Sequence, residues 1–168
     1  MENLIIFLGI VAAFVLPIVI MQQRKTRKIK KKIEEVSLLA QQNGSALGQH
    51  EVEHKVLIGL SENGGHVFYY PFKHKDMETQ MIPLEGVKNC RVNVEGHAVS
   101  YGGEARQVTD KIELIFLPKE KLKQTLSLHL YNSDQDGLQL NGQNMLADKW
   151  AKIINQTLEK NVKKKVNI

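Results

Sequence analysis

Thr125 to Tyr131 reads TLSLHLY and, one polar stretch later, Met145 to Lys160 reads MLADKWAKIINQTLEK. The first alternates every second residue, which puts Leu126, Leu128 and Leu130 on one face and Ser127 and His129 on the other, as in a half-buried strand. The second repeats apolar residues at helical spacing. Leu146, Trp150, Ile153, Ile154 and Leu158 form one stripe, and Asn144 stands where a cap belongs. The change of period from two to 3.6 therefore predicts a β-rich body closed by an amphipathic helix.

Working backwards, Lys111–Leu117 (KIELIFL) is a strand stopped by Pro118, and Ala98–Tyr101 is a short strand ending at Gly102-Gly103. Met81–Val94 (MIPLEGVKNCRVNV) is a strand interrupted at Gly86. Lys55–Leu60 (KVLIGL) and His66–Phe72 (HVFYYPF) flank Glu62-Asn63-Gly64-Gly65, a strong hairpin signal. The expected fold is thus α+β: a small antiparallel β-barrel or sandwich of six to seven strands over residues 50–161, capped by the C-terminal helix.

Before it, Leu4–Met21 (LIIFLGIVAAFVLPIVIM) has no charged side chain across 18 positions. As a helix it measures roughly 27 Å, against a hydrocarbon core of about 30 Å. The sequence thus predicts a transmembrane anchor over residues 1–23. Arg24–Lys32 (RKTRKIKKK) follows, and its Arg24, Lys25, Arg27, Lys28, Lys30, Lys31 and Lys32 predict a single-pass cell-membrane protein. The N-terminus would lie outside and the domain in the cytoplasm. Residues 24–49 read as a basic juxtamembrane helix, with Ile29, Ile33, Val36 and Ala40 in register, and a linker broken by Asn43-Gly44-Ser45 and Gly48. Residues 162–168 read as a basic tail.

The net charge of +5 sits at these two ends. Between His50 and Lys160 the chain carries 13 basic and 15 acidic residues, a balance of 13 − 15 = −2. That distribution argues against a nucleic-acid binder, which needs its cations on the folded surface. Anionic lipid headgroups are an alternative partner for the basic cluster. The single cysteine, Cys90, excludes an internal disulfide and a Cys-based zinc site.

Six short strands or more followed by one helix with a central tryptophan resembles the pleckstrin-homology-like superfamily. The residues that carry the resemblance are Ile82-Pro83-Leu84-Glu85-Gly86-Val87 with Val92 beyond, and Trp150 in ADKWAKII. It covers roughly Glu53 to Lys160. The resemblance implies a binding module without catalytic residues or cofactor, in which Trp150 is a structural plug. It also implies that a phosphoinositide would be held by cations in the first hairpin loop. Here Ser61-Glu62-Asn63-Gly64-Gly65-His66 has no Lys or Arg, so peptide or protein recognition on a sheet edge or in a groove is the expected function. Lys73, His74 and Lys75, near Asp76 and Glu78, read as a solvated turn.

One catalytic string remains. His50-Glu51-Val52-Glu53-His54 is literally H-E-x-x-H, in which a helix turn aims two imidazoles at zinc and the Glu acts as base. A zinc hydrolase is therefore a second alternative. Gly44 and Gly48 precede the string, Glu53 and Lys55 occupy positions where apolar residues belong, and a strand follows at once. A linker with incidental histidines is the preferred reading, with no metal, cofactor or catalytic residue assigned.

Overall fold

The computed structural model describes residues 2–73, 77–101, 104–120, 124–137 and 139–166, without the side chains of 2–12, 14, 101, 104, 165 and 166. The chain divides into two compact units, Met1–Gly44 and Ser45–Ile168.

The first unit is one helix, α1, Glu2–Gln42. It ends where Gly44 takes a φ of +75°, a conformation open to glycine, and the Asn43 side chain donates to the Leu39 carbonyl at 2.8 Å. Among the described residues, no helix is long and apolar enough to cross a membrane. This corrects the expected span over Leu4–Met21, and with it the single-pass topology, the integral membrane partner and the cell-membrane location. Much of that stretch, residues 4–12 and 14, lies outside the described side chains.

The second unit holds seven strands among its described residues. They are β1 (Leu47–Glu53), β2 (Val56–Ser61), β3 (His66–Pro71), β4 (Gln80–Pro83), β5 (Val87–Tyr101), β6 (Glu104–Pro118) and β7 (Leu126–Asn132). Two helices follow, α2 (Ser133–Asp136) and α3 (Gln143–Val166). The strands form two antiparallel sheets, β1-β2-β3-β4 and β5-β6-β7. Neither closes on itself, which corrects the expected barrel. At the corner, β4 ends at Pro83, which has no N–H to extend the ladder, and a 3-10 turn over Leu84–Gly86 redirects the chain into the second sheet.

The predicted β2–β3 hairpin is present, with Leu57 opposite Tyr70 and Gly59 opposite Phe68. The stretch read as a linker is β1, turned into β2 by His54 and Lys55 at φ of 46° and 64°. Two consecutive residues at positive φ make the tight turn whose twist suits a two-residue hairpin. The segments read as separate strands at 81–94, 98–101 and 111–117 are pieces of β4 and two 15-residue strands, β5 and β6.

One core joins both sheets to α3. Ile58, Val67 and Ile82 from the first sheet meet Ile112, Leu114, Phe116 and Leu128 from the second around Trp150, Ile154 and Leu146. The helix starts at Gln143, whose side chain accepts from the Asn141 N–H at 2.6 Å. Asn144 is thus inside it rather than its cap, because Gly142 at a φ of 98° has already turned the chain.

Candidate functional site

Trp150 is completely buried on the inner face of α3. Burying an indole requires a partner for its N–H. That partner is Glu51, whose carboxylate accepts from Trp150 Nε1 at 3.1 Å and from Lys149 Nζ at 2.8 and 2.9 Å. Burial alone would push the Glu51 carboxyl up; the two donors from α3 outweigh it and hold the group below its ordinary value.

This assigns the middle of the H-E-x-x-H string. On a helix His50 and His54 would share one face, but along extended chain four residues span about 13 Å. Here His50 lies on β1 with Nδ1 3.0 Å from the Gly48 carbonyl, while His54 sits in the turn with Nε2 3.7 Å from Glu53. Among the described residues no three His, Cys, Asp or Glu gather to hold a metal. The zinc-hydrolase alternative loses its geometry, and Glu51 ties strand to helix instead of serving as a base.

The seven cations Arg24, Lys25, Arg27, Lys28, Lys30, Lys31 and Lys32 occupy α1. At 3.6 residues per turn they spread over about 220° of its circumference, leaving the Ile29, Ile33, Val36, Ala40 stripe between them. Lys32 pairs with Glu35 at 2.8 Å. Lys73, expected in a solvated turn, pairs with Asp136 of α2, while His74 and Lys75 lie outside the described residues.

The second unit carries a groove of about 890 Å³. One wall is the last turns of α3 (Asn155, Leu158, Glu159, Asn161, Val162, Lys163, Lys164), and the other is the corner between the sheets (Leu84, Glu85, Val87, Lys88, Asn89) with Lys119. Leu84, Val87 and Leu158 give it an apolar floor. Four lysines, Lys88, Lys119, Lys163 and Lys164, face two glutamates, Glu85 and Glu159, so the rim is cationic.

Hydrogen bonds fix both walls. Asn155 Oδ1 accepts from the Cys90 N–H at 2.8 Å, and its Nδ2 donates to the Cys90 carbonyl at 2.7 Å. A side-chain amide thereby takes the place of a neighbouring strand at that point of the β5 edge. Asn161 Nδ2 donates to the Gly64 carbonyl at 2.8 Å, tying α3 to the β2–β3 loop. Gly64 sits at a φ of 68°, and a Cβ there would come within 2.7 Å of Thr157, so the loop depends on glycine. Lys119 donates through its backbone to Gly86 at 2.9 Å and through Nζ to the Glu85 carbonyl at 2.6 Å, closing the corner.

Sequence reasoning missed this groove, since its lining comes from four separated segments, the β2–β3 loop residues Asn63 and Gly65 among them. The sequence places Leu158 on the α3 stripe, Leu84, Glu85 and Val87 ahead of Val92, and Lys163 and Lys164 in a basic tail, but only the fold brings them together; the Lys165 side chain lies outside the described set. A smaller cavity of about 170 Å³ lies between β3 and β7, beside Tyr69 and the Lys73–Asp136 pair. There the Tyr69 hydroxyl donates to the His129 carbonyl, and burial raises its pKa. No family model, no curated protein and no solved structure matches the chain.

Proposed function

We propose that the second unit is a protein-recognition module, related to pleckstrin-homology-like domains, whose α3 groove takes an acidic, partly apolar segment of a partner protein. The observation that carries the reading is the groove itself: an apolar floor under a rim with twice as many lysines as glutamates, held open by side-chain clamps. Such a surface favours alternating apolar and acidic side chains, with apolar burial for affinity and the rim for steering and register.

The test is fluorescence anisotropy of the full chain with a labelled peptide of alternating Leu and Glu, and with the matching Leu–Lys peptide. The acidic peptide should bind more tightly, and Lys163→Glu combined with Lys164→Glu should weaken it about tenfold, the equivalent of about 1.4 kcal/mol. Equal binding of both peptides overturns the reading. Retention on phosphatidylserine vesicles without peptide binding overturns it in favour of a lipid headgroup.

A further inference from the structure

The two longest strands run past the core that they help to build. β5 and β6 pair from Val87 opposite Pro118 out to Tyr101 opposite Glu104. Beyond Val94, Glu95, Gly96, His97, Ala98 and Ser100 are exposed, as are Ala105, Arg106 and Gln107 on the return strand. A two-stranded ribbon bare on both faces is marginal in water and needs a neighbour.

Among the described residues both edges of this arm are unpaired, since β7 meets β6 only from Lys111 to Phe116, and the β5 edge is the longer of the two. Among the described residues β5 pairs with β6 alone. Cys90 directs both its N–H and its C=O away from β6, toward Asn155. The register irregularity at Glu95/Gly96 places the extra residue, Asp110, on β6, so alternation along β5 is unbroken. The outward-directed groups after Cys90 are therefore those of Val92, Val94, Gly96, Ala98 and Ser100. Natural edges are normally blunted by lysine, proline or brevity. β4 has only four residues and ends in Pro83, whereas Arg91–Tyr101 (RVNVEGHAVSY) contains neither Lys nor Pro and spans about 36 Å.

We propose that this edge is the interface for a second copy of the chain, with the two β5 strands pairing antiparallel about a two-fold axis at Gly96. Two independent observations set that register. The free edge begins after the Asn155-capped Cys90 and ends at Tyr101, and the midpoint of 91 and 101 is 96. The same register places Glu95 opposite His97 of the second copy, once on each side of the axis. Each of those imidazoles is 2.8 Å from its own Asp110, so the symmetric pairing makes two carboxylate–imidazole–carboxylate chains. Val94 then faces Ala98 of the second copy on the other face, extending the apolar row of Cys90 and Val92 across the axis. A two-fold interface requires such self-complementarity. This surface is separate from the α3 groove, so its fate does not decide that of the groove.

Disulfide trapping of the full-length chain tests it. The Val94→Cys/Ala98→Cys variant should form a covalent dimer under mild oxidation, whereas either single variant should not. Residues 94 and 98 of one strand are about 13 Å apart and cannot bridge within a chain. Native Cys90 is buried with its thiol pushed up to about 12, so it stays out of the reaction. In sedimentation velocity the wild-type dimer fraction should rise with concentration. Ala98→Pro, which removes one outward N–H and spares the β6 ladder, should raise the dimer dissociation constant at least tenfold. Crosslinking by either single variant as fast as by the pair overturns the register. Absence of any crosslink, with sedimentation unchanged by Ala98→Pro, overturns the dimer.

Discussion

The same two strands live in two environments. Between Val87 and Val94, β5 lies under α3 with Cys90 buried and Val92 against the core, and its partner residues Ile112, Leu114 and Phe116 are completely or almost completely buried. Between Glu95 and Tyr101 the same strand, still paired to β6, is mostly exposed, with no third layer over it among the described residues. Backbone hydrogen bonding continues through both halves, so the difference is apolar burial. A ladder alone contributes little net stability, because each bond replaces one made to water. Stability should follow the helix rather than the strand.

Breaking the packed half has the largest expected effect. Trp150→Ala removes the side chain at the centre of both sheets and should cost about 3–5 kcal/mol in urea denaturation. A loss below about 1 kcal/mol would mean that the sheets hold together without α3. A smaller loss, about 1–2 kcal/mol, is expected for Glu51→Gln, which keeps the size of the clamp and removes its charge; the half-exposed Lys149 limits the effect. The Glu51 carboxyl is held below its ordinary value of 4.5, so its contribution is fully present above that pH and lost as pH falls through the folded-state value. The wild-type advantage over the glutamine variant should shrink on acidification, and an advantage that grows would reverse the assignment. The smallest effect belongs to the arm, where Gln107→Ala should lie within about 0.5 kcal/mol of wild type. Amide exchange in dilute solution sharpens the contrast, with His97 and Val108 opening locally while Asn93 and Leu114, whose ladder bonds lie beside the core, exchange only through global unfolding.

Legibility in the sequence followed the range of the interactions. The β2–β3 hairpin and the stripe of α3 could be read because each depends on neighbours in the chain: the Asn63-Gly64-Gly65 turn and a period of 3.6. β1 escaped because its sequence, LGQHEVE, lacks apolar alternation; it is held by ladder bonds to β2 and by Glu51 reaching α3. The H-E-x-x-H pattern was set aside for its context, and the structure adds the geometric reason, since a motif defined on a helix has no meaning along a strand and a turn. The barrel expectation failed at Pro83, where a short turn redirects the chain between sheets. The span expected over Leu4–Met21 rested on hydropathy; among the described residues no helix is long and apolar enough to cross a membrane.

Local chemistry alone determined the β-rich body, the closing amphipathic helix, the near-neutral charge of the folded unit and the cationic run before it, because periodicity and charge are properties of adjacent residues. Tertiary structure decided the open sheets, the Glu51–Trp150 clamp, the lysine-rimmed groove and the bare arm. Each joins residues tens of positions apart, and their meeting depends on how the chain closes around its core.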